Sequence, residues 1–151
     1  MSPVYKCVVN IDQEYGDIQI NVSGDGQIFI FLSDLGSLIL PQLFSELSSF
    51  YQEKTSRARL ESYGNSDFYT LIRDSKKIRI EHVRHHPGGR DIYTFDLKNF
   101  VVAIDKGFNK ALENLCDKNN FTLKSKEKFH PLGEDVVNAY HHYSQILKRK
   151  V

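Results

Sequence analysis

Three histidines set close together, His82, His85 and His86, are the first residues here that could do chemistry, with Arg84, Arg90 and Asp91 beside them. Metal binding or general base catalysis would be the use of such a group, but the spacing works against both. On a strand, positions 82 and 86 share one side and 85 takes the other. A zinc site needs about three protein ligands with supporting second partners, and Asp91 would be the only obvious carboxylate. His82 falls on the side of Ile78 and Ile80, which predicts a hydrogen-bonded, partly buried ring. His130 is isolated before Pro131, and the adjacent His141 and His142 point about 100° apart on a helix. Cys7 and Cys116 are far apart, outside any Cys-x-x-Cys arrangement, and each falls on or beside an apolar stripe, so inert thiols are expected rather than a disulfide, a zinc site or a nucleophile. Neither a metal nor an organic cofactor is expected.

The signatures of common phosphate, dinucleotide, hydrolase and metalloprotease sites are missing. Ser23-Gly24-Asp25-Gly26 resembles a phosphate loop superficially but joins two strands, with no helix N-terminus to offer oriented amides. Asp12, Glu14 and Asp17 lack the residue order and the closing glutamate of a calcium loop. No enzymatic activity is expected.

Two charge patterns remain. Residues 1–55 carry two basic against seven acidic groups, a net of −5, while residues 56–151 carry 18 basic against 12 acidic groups, a net of +6. The basic half places Arg57, Arg59, Arg73, Lys76, Lys77, Arg79, Arg84 and Arg90 on strands among Tyr63, Tyr69 and Tyr93, a pattern that could track a nucleic-acid strand by charge and stacking. A pI near 7.8 and the missing sheet-reader signature disfavour that use. In the acidic half, an up-down-up meander would bring Asp12, Glu14, Asp17 and Asp34 to one end of its sheet with Tyr15 among them. Four carboxylates around an aromatic make a docking site for a basic protein, or else a plain solvated rim.

The elements that must position these groups follow from periodicity. Strands are expected at 5–11, 18–22 and 28–32, where inward apolar residues alternate with polar ones; Ile28 to Leu32 is apolar on both faces and is expected to be central and covered on both sides. A helix is expected from Leu40 to Tyr51 with Pro41 in its first turn, the state of residues 34–39 being open. Four hairpin-linked strands follow at 57–63, 67–73, 77–84 and 91–95. Asp96 then caps a helix whose stripe holds Phe100, Ala103, Ile104, Gly107, Phe108, Ala111, Leu112 and Leu115. A last helix carries Val136, Val137, Tyr140, Tyr143 and Leu147 on one side. The order predicts an α+β fold, a single globular domain over residues 1–151, with a mainly antiparallel sheet of about seven strands and two to three helices packed on it.

At 151 residues with 40% hydrophobic and 26% charged content, the chain can bury one core but not two full-sized ones. A mean hydropathy of −0.42 and the lack of a long apolar run argue against a membrane partner, and the N-terminus lacks the basic-then-apolar order of a signal peptide, so a cytoplasmic protein is expected. A small, motif-poor α+β chain in which strands lead through Tyr93-Thr94-Phe95-Asp96-Leu97 into Phe100-Val101-Val102-Ala103-Ile104-Asp105-Lys106-Gly107-Phe108 resembles bacterial immunity proteins, the cognate inhibitors encoded beside polymorphic or contact-dependent growth-inhibition toxins. The resemblance is one of style over residues 66–116. It implies a cytoplasmic antitoxin that binds a cognate toxin domain, often a nuclease, and occludes its active site. A small nucleic-acid-binding module and a hydrolase using the His82–Arg90 region are the alternatives.

Overall fold

The computed structural model describes residues 5–12, 16–62, 67–85, 88–119 and 134–149. Its element order is β1 (Lys6–Ile11), β2 (Ile18–Gly24), β3 (Gln27–Ser33), α1 (Gly36–Tyr51), β4 (Arg57–Glu61), β5 (Phe68–Asp74), β6 (Lys77–Arg84), β7 (Gly89–Asp96), α2 (Leu97–Asn119) and α3 (Glu134–Arg149). The fold is α+β. All strand pairs are antiparallel, and the seven strands divide into a three-stranded sheet, β1-β2-β3, and a four-stranded one, β4-β5-β6-β7.

Both sheets and all three helices share one core. Alternation puts Val9, Ile20 and Phe31 of the first sheet, and Leu60, Leu71 and Ile80 of the second, on the buried side. Phe29 joins the two sheets, with its ring 5.8 Å from Tyr69, 5.2 Å from Tyr93 and 6.4 Å from Phe100. Strand β3 crosses the order of the second sheet. At its start the Gln27 side-chain amide meets the backbone of Thr94 on β7, Nε2 donating to the carbonyl at 2.5 Å and Oε1 accepting the N–H at 3.2 Å. Past its end the Asp34 N–H donates to the carbonyl of Ser62, beyond β4.

Helix α2 begins where the sequence places its cap, the Asp96 carboxylate accepting the Asn99 N–H at 3.0 Å. Its stripe buries Phe100, Ile104, Phe108 and Leu112. Helix α3 packs mainly on α1, its Tyr143 hydroxyl donating to the Val101 carbonyl and its Tyr140 hydroxyl to that of Asp105. Burial and the neighbouring Asp105 push the Tyr140 hydroxyl well above the usual tyrosine range.

Gly107 is where α2 meets β1. A Cβ there would lie 2.7 Å from Cys7 Sγ and 2.9 Å from the Cys7 carbonyl oxygen. Glycine costs a helix interior about 1 kcal/mol against alanine, so on propensity alone Gly107→Ala would stabilise. We expect the opposite: the carbonyl is backbone of β1, whose Cys7 is paired with Val22 of β2, so the helix must back away from its sheet, and a urea melt of Gly107→Ala should show a lower midpoint. An unchanged or raised midpoint would show that the contact yields freely. Burial pushes the Cys7 thiol up to about 12, which keeps it an inert packing group.

Two expectations are corrected. Ile28, Ile30 and Leu32 do not lie in a central, doubly covered strand: β3 is the last strand of its sheet, and these three side chains are exposed on its outer side. The inward partners Phe29 and Phe31 alone meet the core, so apolarity on the second face does not reflect burial. Helix α1 begins at Gly36, one turn earlier than expected, which places Pro41 inside the helix. The Leu35 carbonyl accepts the N–H groups of Leu38 and Ile39, and the added turn buries Ile39.

Candidate functional site

The loop after β1 is closed by two backbone bonds, Asp12 N–H to the Asp17 carbonyl and Gly16 N–H to the Asp12 carbonyl, both 2.9 Å. Gly16 has a φ of 83°, the left-handed region that suits glycine, and its carbonyl accepts the Gly36 N–H at the start of α1. That bond seats the loop against the chain leaving β3. Asp34 sits on that same stretch, held by the Ser62 carbonyl from below. The result is a pocket of about 560 Å³ at the end of the first sheet, lined by Asp12, Asp17 and Asp34 together with Asn10, Gln19, Leu32 and Ser62 among others.

Three of the five residues singled out in the sequence therefore come together. Asp12, Asp17 and Asp34 share the pocket, and all three are exposed. Glu14 and Tyr15 lie outside the described residues. The electrostatics follow from the crowding: local desolvation, then the Asp34 and Asp12 carboxylates, push the Asp17 carboxyl above its usual range. Among the described residues that line the pocket there is no lysine, arginine or histidine. An arrangement of this kind raises the local negative potential and favours any group that brings positive charge to it.

The surface beside the pocket was not legible as a site. Strand register puts Lys6, Ser23 and Ile28 in one outward row, Val8, Asn21 and Ile30 in the next, and Asn10, Gln19 and Leu32 in the row nearest the acids. Val8, Ile28, Ile30 and Leu32 are between 41% and 66% exposed. Leu32 belongs both to this face and to the pocket wall. Val8 carried a signal, because it is apolar at an outward position where Lys6 and Asn10 flank it.

The histidine region is built as a clamp. His82 Nε2 lies 3.0 Å from Asp67 Oδ2, its ring stacks on Tyr69 with centroids 4.5 Å apart, and Asp67 Oδ1 accepts the His85 N–H at 2.9 Å. The Tyr69 hydroxyl in turn accepts the Leu32 N–H, tying β3 to the second sheet. His86 lies outside the described residues, as does the Cys116 side chain. Among the described residues, no three histidine, cysteine or acidic side chains are grouped as metal ligands would be. Burial works to raise the Asp67 carboxyl, but the His85 N–H and the His82 ring outweigh it and hold it below its usual range. A carboxyl lowered on folding stabilises above its unfolded value, about 3.9, and loses that contribution as pH falls through the folded one. Thermal melts should therefore show a steeper loss below about pH 4 for the native protein than for Asp67→Asn. Parallel pH profiles would place the acid sensitivity elsewhere.

Several arginines of the basic strands pair within their sheet. Arg59 bonds Glu61 at 2.7 Å and lies 3.7 Å over the Phe68 ring, while Arg79 and Arg90 reach Glu81 at 3.1 and 3.2 Å. These cations are partly neutralised, Arg59 covers one face of the Phe68 ring, and Tyr69 is buried against His82, which leaves less aromatic surface among them for a nucleic-acid strand to stack on; Tyr63 lies outside the described residues. No helix among the described residues is long and apolar enough to cross a membrane. No protein-family model, curated protein or solved structure matches the chain.

Proposed function

We propose that this protein is an immunity-type binding protein, cytoplasmic and without catalytic activity, which neutralises a cognate toxin domain by one-to-one association. The observation that carries the reading is the convergence of Asp12, Asp17 and Asp34 on one pocket without a basic residue among its described lining. A cluster of like charge attracts and orients a partner surface of the opposite sign. A nuclease domain, whose substrate is an anion, presents the basic surface such a site would occlude. The style of the segment from Tyr93 to Phe108 supports the same family of inhibitors.

The test is co-expression in a sensitive bacterial host with the C-terminal domain of the protein encoded by the adjacent gene. Growth should be restored, and the two purified proteins should form an equimolar complex in which any nuclease activity is lost. Unrestored growth and no complex would overturn the reading, as would turnover by this protein alone that vanishes in His85→Ala.

A further inference from the structure

We propose that the outer face of the β1-β2-β3 sheet is an interaction surface, and that it takes a protein element presenting apolar side chains bordered at one end by arginine or lysine. The inference rests on the acidic pocket being a binding site, as above, and adds the apolar half of the contact and its polarity.

The face is formed by nine outward side chains in three rows, and none of the described elements packs on it, since Val8, Ile28, Ile30 and Leu32 are all well exposed. A sheet normally presents polar groups to water on its uncovered side. Here every outward side chain of β3, Ile28, Ile30 and Leu32, is aliphatic, and Val8 lies two strands across in the Ile30 row. Contiguous exposed apolar surface of this kind marks contact sites.

Charge decides what covers it. The only ionisable side chain in the three rows is Lys6, at the end remote from Asp12, Asp17 and Asp34. The surface thus runs from apolar to acidic in one direction, through Leu32, which belongs to both parts. An occupant must bury aliphatic groups over Ile28 and Ile30 and offer cations beyond Leu32.

Area argues against a second copy of the chain. Three strands about 4.8 Å apart and six residues at about 3.4 Å each give a face of roughly 300 Å². A specific interface takes about 800 Å² from each partner and an obligate homodimer more, so the face must be combined with the acidic pocket to reach even the ordinary size. Stacked head to tail, the outward rows of a second copy would set the single cation Lys6 against three carboxylates, and the arginines Arg59, Arg79 and Arg90 of its other sheet already hold Glu61 and Glu81.

The probe is a cyclised β-hairpin peptide with isoleucines on one face and two arginines at one end, titrated into the isotope-labelled full chain. Two counterparts serve as controls, one with glutamates replacing the arginines and one with serines replacing the isoleucines. Amide shifts should concentrate at Val8, Asn21, Ile30, Leu32 and Asp34, and both counterparts should bind at least tenfold more weakly. Ile30→Ser and Asp34→Asn should each weaken binding of the first peptide at least fivefold without lowering the melting temperature. Equal affinity for the glutamate peptide, shifts centred on Thr70 and Glu81, no binding of any hairpin, or a dimer in sedimentation that Ile30→Ser dissolves would each overturn the proposal. Hairpin binding with no growth restoration would reject only the toxin reading, and growth restoration with no hairpin binding only this surface.

Discussion

Replacing Phe108 by alanine should remove about 3–5 kcal/mol of folding stability, a large part of what a domain of this size has. Phe108 is fully buried on α2, with its ring 5.1 Å from Phe44 of α1 in an edge arrangement and 4.8 Å from Tyr140 of α3. It is therefore the point at which all three helices meet. Truncation forfeits the transfer energy of the ring, leaves a cavity, and removes two aromatic contacts worth about 0.5–1.5 kcal/mol each. Denaturant melts would measure it. A midpoint shift worth under about 1 kcal/mol would mean that the three helices collapse into the space, which close packing makes difficult.

The triple reversal Asp12→Lys, Asp17→Lys, Asp34→Lys should abolish high-affinity association with the toxin domain while leaving the fold intact. The side chains are exposed, and surface carboxylates contribute little to stability. Losing a desolvated interfacial charge pair costs about 2–5 kcal/mol, so even one lost pair should weaken binding roughly 30-fold, and reversal adds repulsion that slows encounter. The milder Asp17→Asn distinguishes the cause. A carboxyl raised on folding, here by local desolvation and then by the Asp34 and Asp12 carboxylates, carries a charge that works against the folded state as pH rises through its range; deleting it should raise the melting temperature at neutral pH while lowering affinity. Calorimetric titration of the purified pair, with circular dichroism of each variant, would check both. Unaltered affinity in a folded triple variant would move the interface away from the pocket.

How much of this could be read from the sequence depends on which physical signal was local. The α2 stripe and its Asp96 cap repeat over many residues and needed no tertiary information. The convergence of Asp12, Asp17 and Asp34 followed from strand direction alone, because two hairpin links in a meander fix which ends coincide. Pro41 misled because proline favours a first turn, whereas burying Ile39 extended the helix beyond it. Strand β3 was misread for a deeper reason. Periodicity reports which side chains are apolar on each face, and an apolar face buried in a core and an apolar face left exposed have the same pattern in Ile28, Ile30 and Leu32. Only the packing of the folded chain, which leaves these three side chains exposed, separates the two.

The Gln27 amide does more than join two sheets. By occupying both the N–H and the carbonyl of Thr94, it plugs one outward-facing backbone pair on β7, the terminal strand of its sheet. An open strand margin is a template on which another extended chain can grow, and Ile92, two residues earlier and 55% exposed, would otherwise make this margin adhesive. A side chain from one sheet thus counterfeits the next rung of the other, and at Thr94 the margin offers an incoming strand no free backbone pair.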